Sequence, residues 1–127
     1  VFYNGTGWGL ISNFVEMGGY SELVSSINQA NSAGWAVDAS LYNCLTIARD
    51  STSTRTLSFT NIPTGSYSCA IELSGATTGV INLPSGIKWQ GGTGPVLTDL
   101  AGSVDLIILE TRNGGTSWIG SYTLGFA

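Results

Sequence analysis

The chain of 127 residues has the length of one domain, is 43% hydrophobic but only 9% charged, and carries a formal net charge of -4. Its four cations, Arg49, Arg55, Lys88 and Arg112, are scattered, so we expect no nucleic-acid partner. No apolar run reaches membrane-spanning length, so we expect no membrane insertion. A surface with so few charges indicates an assembly, in which other copies cover part of the outside of each chain.

The first 40 residues are predicted to form an arm followed by one short helix. The segment VFYNGTGWGLISNFV is rich in glycine and aromatic residues, which is typical of an arm held by aromatic anchors. Ser21 would cap the helix and Gly34 would end it. The side chains of its apolar face would be Leu23, Ile27 and Ala30.

Residues 41–127 show short alternating segments separated by turns. This pattern predicts an all-β fold, an antiparallel β-sandwich of jelly-roll-like type, within a single domain of residues 1–127. The segments LYNCLTIARD and RTLSFTNI are joined by the polar STST, which predicts a hairpin.

The clearest strand pair is VDLIILETR and TSWIGSYTL, which flank an Asn-Gly turn. A two-residue turn would set Leu109 opposite Trp118 and Ile108 opposite Ile119. The segment VDLIIL is apolar on both faces, so neither face suits water. We expect either a second sheet and a helix, or another subunit, to cover it.

The two cysteines are not expected to pair. Cys44 lies out of phase with Leu45 and Ile47, whereas Cys69 lies in phase with Ile71 and with the rest of its apolar set. A regular sheet would therefore send the two sulfur atoms to opposite faces.

Few catalytic arrangements fit this composition. The absence of histidine from the sequence excludes Ser-His-Asp and Cys-His catalysis and most zinc chemistry. No phosphate-binding or calcium-binding loop motif occurs, so we expect no cofactor and no metal. Glycoside hydrolysis needs only two carboxylates, for which Asp99, Asp105 and Glu110 are the candidates; the alternative is that these acids are solvated or structural groups.

Aromatic side chains are the other chemical resource. Tyr3, Trp8 and Trp35 lie in loosely patterned sequence and are candidates for contact with a glycan or a partner. Trp89 and Trp118 lie inside apolar β segments, which favours packing in the core.

The stretch LPSGIKWQGGTGPVLTDLAGSVDLIILETRNGGTSWIG resembles a segment that recurs in bacteriophage virion proteins, chiefly tail fibres and other tail or surface proteins. The residues that carry the resemblance include Pro84, Lys88, Trp89, Gly91, Gly92, Pro95, Asp105, Gly114, Gly115 and Trp118. The resemblance implies an all-β sandwich that serves as a virion building block, is usually homotrimeric and has no catalytic residues.

The residue types of PSGIKWQGGTGP also have backbone and packing reasons of their own. Pro84 would end a strand, and Gly91 and Gly92 would let the chain reverse closely against its neighbours. Lys88 would point to the face opposite the apolar one. On that face Asp105 is its candidate partner. The stretch is therefore predicted to form a corner and not a ligand site.

Three functions follow as hypotheses. The first is a non-catalytic structural protein of a phage virion surface, either a tail-fibre or appendage domain or a capsid decoration protein. Its partners would be copies of itself in a homotrimer, other virion proteins and a host cell-surface glycan. It would be located in the virion, which assembles in the host cytoplasm. The second is a carbohydrate-binding adhesin module, and the third is a small glycosidase.

Overall fold

The computed structural model describes residues 22–31, 34–76 and 78–127, and it confirms the all-β prediction. The strands are β1 Val24–Asn28, β2 Gly34–Asp38, β3 Cys44–Ala48, β4 Arg55–Thr60, β5 Tyr67–Ser74, β6 Ile81–Asn82, β7 Ile87–Trp89, β8 Val104–Thr111 and β9 Trp118–Phe126. Helical geometry in the described residues is limited to two short 3-10 turns, at Gln29–Asn31 and Gln90–Gly92.

The first six strands alternate between two sheets. Strands β1, β3 and β5 belong to a six-stranded sheet with the order β1-β3-β5-β8-β9-β7, whereas β2, β4 and β6 form a three-stranded sheet. Neighbours among these six strands pair in parallel. One strand from each sheet therefore makes one coil of the chain, and successive coils stack on each other.

The predicted antiparallel arrangement is wrong for five of the seven strand pairs in the described part of the chain, where only β5 with β8 and β8 with β9 run antiparallel. The predicted hairpin between β3 and β4 is also wrong, because the chain crosses to the other sheet between these strands. Side-chain alternation identifies a strand and its faces, but it is the same in both pairing directions.

The predicted helix is wrong as well, because Val24–Asn28 forms β1. Ser25, Ser26 and Asn28 are poor helix formers, and strand pairing places Ile27 beside Ile47 of the core. Ser21, the predicted cap, lies outside the described residues.

Both sheets contribute to one buried core. Its branched aliphatic members are Leu45, Ile47, Ile71, Leu73, Ile107 and Leu109 from the six-stranded sheet and Val37, Leu57 and Ile81 from the three-stranded sheet. Cys69 is fully buried among them, whereas Cys44 lies half-buried on the opposite face, and both thiols are free. The predicted separation of the two cysteines is thus confirmed.

The hairpin of β8 and β9 is confirmed, but its register differs from the prediction by two residues. Leu109 lies opposite Gly120, not opposite Trp118. The connecting loop is longer than a two-residue turn and spans residues 112–117. A shift of two residues leaves every side chain on the same face, so Leu109 and Trp118 are both buried as expected.

Candidate functional site

The stretch from Pro84 to Pro95 carries the chain from the three-stranded sheet to an edge of the six-stranded sheet. Strand β6 ends at Asn82, just before Pro84, which has no N–H to donate to a neighbouring strand. After β7, Gly91 and Gly92 have φ angles of 75° and 81°, in the left-handed region that favours glycine. Across this stretch the chain leaves the three-stranded sheet, joins the six-stranded sheet as β7, and then changes direction at Gly91 and Gly92.

Trp89 is half-buried and packs on β9. Its ring lies 5.8 Å from that of Tyr122, edge to face. Gly94 also lies beside the indole: a Cβ at residue 94 would stand 3.0 Å from Trp89 Nε1. A cavity of about 380 Å³ opens beside Trp89, lined mostly by apolar residues such as Leu73 and Leu97. Trp89 thus combines a packing role with a partly open surface.

Trp118 belongs to an aromatic cluster in the core. It is 3% exposed, and its ring lies 5.3 Å from that of Phe59 and 6.3 Å from that of Tyr67. The Tyr67 hydroxyl donates to the carbonyl oxygen of Tyr42 at 2.6 Å, which satisfies the polar end of the cluster. In the preceding loop, Gly114 and Gly115 have φ angles of 66° and 86°.

The predicted pair of Lys88 and Asp105 is wrong, because the two side chains lie on opposite faces. Lys88 is exposed, whereas Asp105 is 1% exposed and points to the core side of β8. Asp105 Oδ2 accepts from the Thr98 amide at 2.6 Å, and Oδ1 accepts from the Gly125 amide at 2.8 Å. Burial raises the pKa of Asp105, but these two amides, together with the Thr98 hydroxyl and the charge of Arg49, hold the pKa below its usual value.

Arg49 binds the same segment from the other side. It is 4% exposed; its Nη1 donates to the Thr98 carbonyl oxygen at 2.9 Å, and its Nη2 contacts Asp99 Oδ1 at 2.7 Å. Both polar groups of the Thr98 backbone are thus held by buried charged side chains. In the sequence Arg49 is one of four scattered cations, but it continues the inward alternation of Leu45 and Ile47, and that phase is the signal of its burial.

The three candidate acids do not meet at one site. Both carboxylate oxygens of Asp105 accept backbone amides inside the protein. Asp99 is paired with Arg49, and Glu110 lies on the opposite side of the six-stranded sheet, where it contacts Arg112 at 2.7 Å. Asp105 and Asp99 therefore hold a loop in place, and the sheet separates Glu110 from Asp105.

Of the three candidate contact aromatics, the structure places Trp35, while Tyr3 and Trp8 lie outside the described residues. Trp35 is half-buried in β2. It lines a cavity of about 400 Å³ at the end of the stack formed by β1 and β2, together with Ile27 and Tyr42.

On the side opposite the core, which we call the outer face, the six-stranded sheet presents a row of apolar side chains on β8 flanked by polar and apolar neighbours. Val104, Leu106 and Ile108 of β8 point to this face and are half-buried, whereas alternate residues of the strand are buried in the core. Pairing across the sheet places further apolar side chains on the outer face: Val24, Ala48, Ala70, Ile119 and Phe126. Three of these are large and more than half exposed, namely Val24 at 52%, Ile119 at 60% and Phe126 at 51%.

The described residues contain no helix with the length and hydropathy of a membrane span. They also lack a group of three or more His, Cys, Asp or Glu side chains that could hold a metal ion. Comparison of the chain with family models, with curated proteins and with solved structures gives no significant match.

Proposed function

We propose that the chain is a non-catalytic building block of a bacteriophage virion surface, and that copies associate through the outer face of the six-stranded sheet. The observation that carries the proposal is the double apolar face of β8: one face lies in the core and the other points outward. Its body would be a β-sandwich made of the two sheets around their shared core.

The outer face has the composition of a surface that association would bury. Each apolar Å² removed from water contributes roughly 25 cal/mol. The row from Val104 to Ile108 has an apolar neighbour on each side, Ala70 on β5 and Phe126 on β9, among polar neighbours such as Glu72 and Thr123. An exposed apolar sheet face is unfavourable for an isolated chain, and association of copies removes it from water.

The virion setting rests on the resemblance of residues 83–120 to phage tail and surface proteins. That resemblance supports a homotrimer located in the virion, with other virion proteins as neighbours. A tail-fibre or appendage domain and a capsid decoration protein both use a chain in this way.

The test is the mass of the protein in solution, measured by light scattering over a range of concentrations. We expect a stable trimer for the native chain and a monomer for Leu106→Lys or Ile108→Lys, with unchanged circular dichroism. The matched control is Ala36→Lys, which adds the same charge at an exposed position of the three-stranded sheet and should leave the trimer intact. A native chain that stays monomeric at all concentrations contradicts the proposal.

Contact with a host glycan is a second candidate, supported by the half-buried indole of Trp35 at an open cavity that also includes the polar side chain of Asp38. A glycan array tests it: saturable binding that Trp35→Ala abolishes without loss of the fold would support an adhesin. The absence of binding across the array would remove this candidate.

A further inference from the structure

The three-stranded sheet has a gap beside β4. Strand β6 pairs only with the first two residues of β4, Arg55 and Thr56, although β4 continues to Thr60. Pro84 explains why β6 stops: it cannot donate to a neighbouring strand, and it restricts the backbone of the residue before it. On this side of residues 57–60, the described chain supplies no paired strand.

Main-chain groups of β4 point into this gap. The Arg55 N–H donates to the Val80 carbonyl on the β6 side at 2.8 Å, whereas the Thr60 carbonyl accepts from Ala39 on the β2 side at 2.8 Å. Peptide groups alternate in direction along a strand, so the N–H and C=O of Phe59 point to the same side of β4 as those of Arg55. The Phe59 groups therefore point to the side where β6 has ended, as at the edge of a sheet.

A groove lies along this edge. Its volume is about 450 Å³, and four consecutive β4 residues, 56–59, form one side of it. Trp118 and Leu83 contribute apolar surface, and Pro84 and Ser85, which follow β6, also line the groove. The lining residues, all within the described part of the chain, include no charged side chain.

We propose that this groove binds an extended, uncharged peptide segment of another protein, which adds to the three-stranded sheet beside β4. The unpaired edge selects an extended main chain, because only a strand has N–H and C=O groups at the matching spacing. The apolar surface of Phe59 and Trp118 selects a large apolar side chain at an inward position. The groove lies apart from the outer face, so peptide binding there would be a function additional to the proposed self-assembly.

The test uses the full chain and a blocked synthetic peptide, Ser-Val-Ser-Leu-Ser-Val, titrated by calorimetry. A second peptide of the same sequence carries N-methyl groups on its two central residues, so it keeps the side chains but loses the central N–H donors for either strand direction. We expect saturable binding of the first peptide and at least about tenfold weaker binding of the second.

Two further measurements locate the site. Ser85→Trp places a large side chain on the wall of the groove and should weaken binding about tenfold or more, whereas Ala101→Trp, in an exposed turn that does not line the groove, should leave binding unchanged. Hydrogen exchange of the Phe59 amide should slow at least about tenfold when the peptide is bound, because a paired strand protects it.

Three results would overturn the proposal. One is equal binding of both peptides, or no binding of either, since strand addition requires the peptide N–H groups. Another is an unchanged exchange rate of the Phe59 amide in the saturated complex. The third is slowing of that exchange with protein concentration alone, which would assign the edge to a second copy of this chain.

Discussion

The indole of Trp89 lies directly against the backbone of Gly120. A Cβ at residue 120 would stand 2.4 Å from Trp89 Cζ3 and 2.8 Å from Ile87 Cγ2. Trp89 of β7 and Gly120 of β9 are register partners in the sheet. Because β7 pairs with β9 over only three residues, this contact supplements a short ladder at the edge of the six-stranded sheet.

Gly120→Ala should therefore destabilise the protein. The added methyl group overlaps an indole that is already packed, and overpacking of this kind costs typically 1–3 kcal/mol, so we expect a loss of about that size in the free energy of unfolding. Urea denaturation measures it. The control is Gly65→Ala, where no heavy atom lies within 4 Å of the added Cβ, and we expect a change within about 0.5 kcal/mol. Equal effects of the two substitutions would contradict this account of Gly120.

Asp105→Asn should remove one of two buried carboxylate oxygens, each of which accepts from one backbone amide. One of the two amides would then face the side-chain NH₂ group, and a buried donor without an acceptor costs about 1–3 kcal/mol. We expect a loss of this size at neutral pH, measured by urea denaturation. Glu72→Gln, which neutralises an exposed carboxylate of the six-stranded sheet, is the control and should have little effect.

The same carboxylate makes a pH-dependent contribution to stability. Its pKa is lowered in the folded state, so its contribution is fully present above the unfolded carboxyl pKa of about 3.9 and is lost as the pH falls through the folded value. Unfolding measured from pH 6 downward should show the native chain losing this stability below about pH 4, with a flatter profile for Asp105→Asn. Parallel profiles for the two proteins would count against it.

After residue 40 the sequence was sufficient to predict strands and their faces, but not their partners, and before residue 40 it missed β1 and β2. The period of two correctly put Cys69 inside and Cys44 outside, and it kept Leu109 and Trp118 on one face despite the wrong register. It could not show that β3 pairs in parallel with β1 and β5, because that choice depends on where the chain crosses between sheets.

The site residues show a similar limit. Asp105 is in phase with Ile107 and Leu109, so its burial was readable from the sequence, and its pairing with the exposed Lys88 was not consistent with that phase. Its true partners are the backbone amides of Thr98 and Gly125, and backbone groups leave no signature in a sequence.

Both thiols should resist modification in the folded protein. Burial raises the pKa of Cys69 to about 12, and burial together with Glu22 raises the pKa of Cys44. At pH 8 we therefore expect slow alkylation of both by iodoacetamide and complete alkylation in urea, measured by mass spectrometry, because the thiolate is the reactive form. Rapid labelling of Cys69 in the native protein, or a disulfide between the two cysteines after mild oxidation, would contradict this expectation.

Asn113 holds the loop of the β8–β9 hairpin through its side-chain oxygen. Oδ1 accepts from the Ser117 amide at 3.0 Å and from the Thr111 hydroxyl at 3.0 Å, and that hydroxyl accepts from the Gly115 amide at 3.0 Å. Asn113→Ala removes the acceptor, so we expect a loss of about 1 kcal/mol in the free energy of unfolding, measured in urea. Asn113→Asp keeps an oxygen in the same place and should retain most of the stability. If Asn113→Asp and Asn113→Ala lose equal stability, the acceptor is not what orders the loop, and the positive φ angles of Gly114 and Gly115 must be sufficient to do so.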